Sequence, residues 1–467
     1  MPGSTTPTGA ALTPATGSAT AGEPVAFPPG FVWGTATSAF QIEGGSTADG
    51  RGESIWDRFC AQPGTVLDGS DGSVATDHYG RYRDDVALLA GLGMGAYRFS
   101  IAWPRVLPAG TGAVNEAGLD FYDRLVDELL AANITPYPTL YHWDLPQALE
   151  DRGGWVSRDV TDAFVEYAAA VVGRLGDRVR SWATLNEPFV SATHGYWEGV
   201  HAPGRTSLED CLAAAHHLLL AHGKAVPVIR ELAGRAGADG AEVGIVLNFT
   251  PTTPYSDEEA DVERAALLDA IENRWYVEPV AGLGYPEVGV AGLGWDRREV
   301  RDGDLDTIAT PLDFLGVNYY SRQVARAGDA HVEPTLPVTA MGWEIHPQGI
   351  GDLLVGLDER HGFPKYLITE NGAAMPDDVV VDGAVHDRDR IAYIADHLTE
   401  VHRAIGAGVP VEGYFVWSFL DNFEWAYGYA RRFGIVHVDY ETLVRTPKAS
   451  ARWYAEVART GTVARPT

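Results

Sequence analysis

The sequence predicts an α/β fold, a single-domain (β/α)8 barrel (TIM barrel) whose active site lies at the carboxyl-terminal rim of the strands. Three observations predict it. Eight short runs rich in β-branched and aromatic residues alternate with amphipathic stretches from Phe31 onward, no linker divides the chain, and polar and aromatic residues collect where the runs end.

The eight runs span residues 31–37, 96–101, 135–141, 181–186, 242–248, 314–318, 366–369 and 413–417. Eight is the number of strands that closes this barrel. Between them, 120–132, 162–175 and 387–405 repeat apolar residues at intervals of three and four, as helices with one buried face do. A chain of 467 residues has room for two or three average domains, but α/β barrels with enlarged loops reach this length as one unit. The catalytic domain is placed at 27–460. Residues 1–26 are rich in Ala, Thr, Pro and Gly and read as a disordered tail. They lack the basic start and apolar segment of a secretory signal, which makes the cytoplasm the default compartment.

Composition narrows the partners. With 45% apolar residues, 13 Trp, 20 Tyr and 15 Phe, aromatics are left over after a core is filled, as a sugar-stacking cleft requires. The 35 Lys and Arg against 64 Asp and Glu leave a net charge of −29, which repels nucleic acid and anionic membranes. No stretch approaches the roughly eighteen consecutive apolar residues of a membrane span. No coiled-coil seam is present to set an oligomeric state. Cys60 and Cys211 are too few and too far apart for a disulfide framework or a metal cluster, and read as small buried apolar residues.

At or just beyond the ends of the runs stand Gln41, Arg98, His142 with Trp143, Asn186 with Glu187, Asn248, Asn318 with Tyr320, Glu370, and Trp417 followed by Glu424 and Trp425. In a closed parallel barrel these ends face one mouth, so residues far apart in sequence converge. Two acidic motifs dominate, Thr184-Leu185-Asn186-Glu187-Pro188 and Ile368-Thr369-Glu370-Asn371-Gly372. Pro188 disfavours the helical region for the residue before it, so Glu187 is expected to be extended. Gly372 is expected to permit a sharp turn beyond Glu370. Two carboxyls across one mouth suit attack on a glycosidic bond.

Plainer readings stand beside these. A lone strand-end glutamate is more often a salt-bridged rim residue than a catalyst, and Arg98 could serve as a structural ion pair, as a contact to Glu370, or as both. His216, His217 and His222 lie on one helix without the acidic partner of a zinc motif, so packing or a solvated face is expected and no metal is assigned. The acidic stretch 68–77 lacks the oxygen-bearing positions and terminal glutamate of a calcium loop and reads as a mobile surface loop. The Asn248-Phe249-Thr250 sequon sits where a glycan would block the mouth.

Taken together, the run from Phe31 to Gly44, Tyr97 to Trp103, Tyr141 to Pro146, the two glutamate motifs and Trp417 to Trp425 resemble the glycoside hydrolase family 1 β-glucosidases. The resemblance covers about Phe31 to Tyr454. It implies a retaining, cofactor-independent enzyme that removes terminal non-reducing β-D-glucosyl residues through a covalent intermediate, acting on small β-linked oligosaccharides or aryl glycosides. It implies Glu187 as acid/base and Glu370 as nucleophile. Gln41, His142, Asn186, Glu424 and Trp425 would hold the sugar, Asn318, Tyr320 and Arg98 would support them, and Trp343 would flank the leaving group. Trp143 and Trp417 join the sugar-binding set from their places on the rim. Double displacement requires carboxyls about 5–5.5 Å apart, against roughly 6.5–9.5 Å for inversion. Glu424 stands where relatives acting on 6-phosphorylated sugars have lost the glutamate, which implies a neutral sugar. Bidentate hydrogen bonding by Gln41 and Glu424 is compatible with either epimer at the 4-position, so β-galactosides and β-fucosides are expected substrates as well. A sugar-binding protein without catalysis would have lost one carboxylate; an enzyme in which transglycosylation dominates would have kept both.

Overall fold

The computed structural model describes residues 23–235, 240–329, 331–377 and 379–465. Eight parallel strands close into a barrel in chain order: β1 Val32–Ala36, β2 Ala96–Ser100, β3 Thr135–Tyr141, β4 Ser181–Asn186, β5 Glu242–Phe249, β6 Phe314–Tyr319, β7 Tyr366–Asn371 and β8 Val411–Trp417. β8 returns to pair with β1, with Gly413 opposite Val32 and Trp417 opposite Ala36. All eight predicted runs are strands, and their limits differ by at most two residues. Three expected helices form as Glu116–Ala131, Asp159–Leu175 and Arg388–Gly406. The first two begin earlier than their apolar periodicity, on turns carrying Glu116 and Asp159, whose charges suit the positive end of a helix.

The main core lies between the strands and the surrounding helices. Trp103 stacks on Tyr167 at 5.0 Å, and Phe164 packs on both. Inside the ring, side chains from successive strands meet in two smaller clusters. One gathers Ala36, Ala96, Phe415 and Trp417, the other Ala183, Val246, Phe314 and Leu367. The barrel is therefore plugged below its mouth. The plug explains Gly34, where a Cβ would stand 2.5 Å from the Phe415 ring.

Of the tail expected at 1–26, residues 1–22 lie outside the described residues. Val25–Ala26 pair antiparallel with Thr462–Val463, so the two ends of the domain are tied together. The stretch 68–77, expected as a mobile loop, is fastened to the segment after β8: Asp68 accepts from the Tyr429 amide at 2.8 Å and the Asp71 carbonyl from the Tyr429 hydroxyl at 2.9 Å. Cys211 is buried, while Cys60 is only half-buried.

The three histidines lie on the Leu208–Arg235 helix and are all buried. His216 sits between the Tyr285 hydroxyl and Asp304, both at 2.9 Å, His217 bonds the Trp155 carbonyl, and His222 bonds Thr184. Packing is thus their role, with Asp304 supplying an acidic neighbour that sequence spacing did not reveal. Among the described residues no three metal-competent side chains cluster. By length and composition this helix could cross a membrane, yet most of it is buried in the barrel wall.

Candidate active site

The strand ends open into a cavity of about 1070 Å³. Glu187, Glu370, Glu424, His142, Trp143, Asn318, Tyr320, Trp343, Trp417 and Trp425 all line it. Gln41, Arg98 and Asn186 are buried behind that lining.

Glu370 lies on β7 where the register with β6 and β8 shifts, an irregularity that re-aims a side chain. Its Oε1 accepts from Arg98 Nη1 at 2.7 Å and its Oε2 from the Tyr320 hydroxyl at 2.5 Å. Arg98 reaches across from β2 and also donates to Asn186 Oδ1 at 2.7 Å. Both readings of Arg98 therefore hold: it is a buried ion pair within the barrel and a direct contact to Glu370.

Glu187 is not extended. It adopts the left-handed conformation, φ 47° and ψ 67°, between the last residue of β4 and a short helix, Pro188–Ala192. Pro188 excludes the right-handed helical region for its predecessor and itself suits the first helical position. The chain must turn within one residue, and the Glu187 amide is held by the Val246 carbonyl at 2.9 Å. A non-glycine residue there costs on the order of 1–2 kcal/mol. The turn presents the Glu187 carboxyl to Asn318, whose Nδ2 donates to Oε1 at 2.7 Å and to Asn186 Oδ1 at 3.1 Å. A continuous frame thus runs from Glu370 through Arg98, Asn186 and Asn318 to Glu187. Asn186 Nδ2 also donates to His142 Nε2 at 3.2 Å, which places the imidazole proton on Nδ1.

Burial is the largest influence on all three carboxyls. It pushes Glu187 up to about 8, with the charge of Glu370 adding to the rise and Asn318 and Arg98 opposing it. Glu424 is likewise pushed up to about 8, by burial and then by Glu370. Glu370 is raised by burial too, but Arg98 and Tyr320 favour its charged form, so it is the one that ionises first. Desolvation raises both groups, and the neighbouring charges and hydrogen bonds set them apart. Burial and Arg98 hold His142 well below its ordinary value, and it is neutral.

A family profile described as Glycosyl hydrolase family 1 matches residues 23–462. The chain belongs to glycosyl hydrolase family 1. Beta-glucosidase A of Acetivibrio thermocellus is 46% identical over 93% of this chain and 98% of its own length. The solved family 1 β-glucosidase of Thermotoga maritima superposes with a TM-score of 0.90 at 46% identity, covering 94% of this chain and 99% of that one. A bifunctional β-D-glucosidase/β-D-fucosidase of Bifidobacterium breve is 43% identical, covering 92% and 97%. This protein is accordingly a glycoside hydrolase on a (β/α)8 barrel.

The aromatic wall of this family 1 cavity rests on unusual backbone. Trp143 and Trp425 have φ of 75° and 48°, so with Glu187 three left-handed non-glycine residues meet at one mouth. Their rings lie 4.5 Å apart, and His142 stacks on Trp417 at 5.8 Å and on Trp425 at 6.0 Å. The Trp143 indole donates to the Asn186 carbonyl at 3.0 Å. Gln41 does not line the cavity. Its Nε2 approaches Glu424 Oε2 at 3.4 Å, Asn422 Oδ1 at 3.0 Å and the Phe423 carbonyl at 2.9 Å, and so it holds the segment that bears Glu424. Trp343 forms the outer wall, 36% exposed, against Tyr320 at 5.4 Å and Phe433 at 6.2 Å.

Gly372 differs from expectation. Its φ is not positive; a Cβ there would stand 1.7 Å from the Trp417 carbonyl oxygen, so the residue is needed for close approach of β7 to β8. Sequence reasoning missed Phe433 and Met341, which line the cavity from loops without a strand-end signal. It also missed His194 and Glu272, carried into the cavity by two single-turn π segments, Thr193–Trp197 and Ala270–Arg274.

Proposed function

We propose that this family 1 enzyme is a retaining β-glucosidase, cleaving terminal non-reducing β-D-glucosyl residues from small saccharides or aryl glycosides. The observation that carries the proposal is the pair of buried glutamates joined in one frame, one paired with a guanidinium and the other raised to about 8. Ionised Glu370 attacks the anomeric carbon while the bond to the leaving oxygen breaks, and Glu187 passes its proton to that oxygen. Once Glu370 is esterified its charge is gone, the part of the rise in Glu187 that came from that charge is removed, and Glu187, left ionised by the first step and more readily kept so, takes a proton from water. That water attacks the same carbon and releases Glu370. Protons and electron pairs balance on the two carboxyls alone.

Direct attack requires the spacing of about 5–5.5 Å found in retaining sites, and the Arg98–Asn186–Asn318 frame ties the two carboxyls together through three side chains. Glu424 with the Trp417 and Trp425 faces suits a neutral sugar, because its buried carboxyl bonds hydroxyls and offers a phosphoryl group no cation. The Bifidobacterium relative supports β-fucosides as further substrates. β-Galactosides rest on the tolerance of the Glu424 carboxyl, held in place by Gln41, for either epimer.

The test is a chromogenic aryl β-glucoside. Wild type should release the phenol and Glu370→Gly should not; an unaffected variant removes Glu370 from its role. NMR of the first-formed sugar should detect the β anomer. The α anomer would refute retention, and preference for a 6-phosphoglucoside would refute the reading of Glu424.

A further inference from the structure

Behind the outer wall of the cavity lies a buried ion cluster that the chemistry above does not use. Arg390, near the start of the Arg388–Gly406 helix, is 1% exposed. Its guanidinium donates to the carbonyls of Ala373, Arg432 at 3.1 Å and Phe433 at 3.0 Å, and to Asp377 at 2.5 Å and Asp387 at 3.0 Å. Lys448 joins Asp377 at 2.7 Å to Asp421 at 2.9 Å. Gathering so many charges away from water is not a route to stability, since apolar replacements often serve as well. What the cluster secures is the spacing between the segments that follow β7 and β8.

Those segments touch the chemistry. Ala373 is three residues beyond Glu370. Phe433 packs edge-on against Tyr320, 6.0 Å between centroids at 78°, and Tyr320 donates to Glu370. We propose that Arg390 is a positioning residue for bond cleavage: through the Phe433 and Ala373 carbonyls it sets how the Tyr320 hydroxyl meets Glu370. The proposal rests on the glucosidase reading of Glu187 and Glu370. Facing Glu370 are Arg98 from β2, Glu187 after β4, Tyr320 after β6 and Glu424 after β8, and of these Phe433 packs on Tyr320.

The experiment follows kcat and KM against pH on an aryl β-glucoside for wild type, Arg390→Met, Arg390→Lys and Phe433→Leu. Leu398→Ala, buried on the same helix away from the cavity, is the control. In Arg390→Met and Phe433→Leu the acid limb of kcat/KM should move to higher pH by about half a unit or more, because a weakened Tyr320 bond makes Glu370 harder to ionise. Arg390→Lys should fall between, keeping the charge but not the fork of donors. Leu398→Ala should lower Tm and leave the limb in place. If Arg390→Met does not fold, the other two variants decide. Folded, active Phe433→Leu and Arg390→Lys enzymes with the wild-type acid limb would overturn the role of Arg390. Failure of wild type to cleave the substrate would instead overturn the glucosidase reading.

Discussion

At the scale of single residues, the protonation states of Glu187 and Glu370 govern the outcome. In the proposed mechanism Glu187 must hold a proton to act as acid, and burial keeps it protonated up to about 8. Activity should therefore fall as pH rises through that region, while the acid limb reports Glu370. In Glu187→Gln the alkaline limb should vanish, with kcat on substrates of poor leaving ability lowered roughly 10²–10⁴-fold. An alkaline limb that persists in this variant would assign it to another group. Asp144 offers a second test at this scale. It is wholly buried, neither carboxylate oxygen has a hydrogen-bond partner among the described residues, and burial pushes it up to about 8. Its folded form keeps a proton that the unfolded chain releases near pH 4, so its contribution to stability is present below that pH and lost as pH rises towards 8. Asp144→Asn should raise Tm relative to wild type by an amount that grows between pH 5 and 8, following a slope of about 1.4 kcal/mol per pH unit. A pH-independent difference in Tm would show that Asp144 is already ionised in the fold.

At the scale of elements, the junctions between strands and following segments decide the site. Gly372 crosses under the Trp417 carbonyl with no room for a methyl group. Gly372→Ala should destabilise the fold by roughly 1–3 kcal/mol, as overpacking does, and lower kcat by displacing Glu370 two residues earlier. Urea melts and kinetics on the same preparation test both, and a variant with wild-type values would mean that β7 and β8 separate freely. The strands themselves were legible because parallel strands buried on both faces read as short β-branched and aromatic runs. Glu187 was legible as a strand-end carboxylate, but its left-handed backbone was not. The pre-proline rule describes a local preference, whereas the need to leave β4 and enter the Pro188–Ala192 helix in one step is tertiary. Gln41 was likewise placed at the mouth by its position after β1, and only the path of residues 422–424 puts it behind Glu424.

At the scale of the whole molecule, a net charge of −29 opposes a compact state. Arg174 and Arg178 soften this locally by pairing with Glu116, Asp120, Asp123 and Asp127 on the neighbouring Glu116–Ala131 helix. Exposed pairs of this kind contribute about 0.2–1 kcal/mol each, less than the general repulsion. Added NaCl should therefore raise Tm as it screens the like charges; a steady fall would show that the surface pairs dominate. The sequence by itself determined the eight strands, the barrel and the two glutamates, because these follow from local periodicity and from short motifs whose neighbours in the chain are their neighbours in space. Only the tertiary structure decided how strongly burial raises Glu187, that Gly372 yields to Trp417, that Phe433 joins the cavity wall and that Arg390 stands behind it. Those properties depend on desolvation and on contacts between segments tens or hundreds of residues apart, and neither quantity is written in any local stretch of the chain.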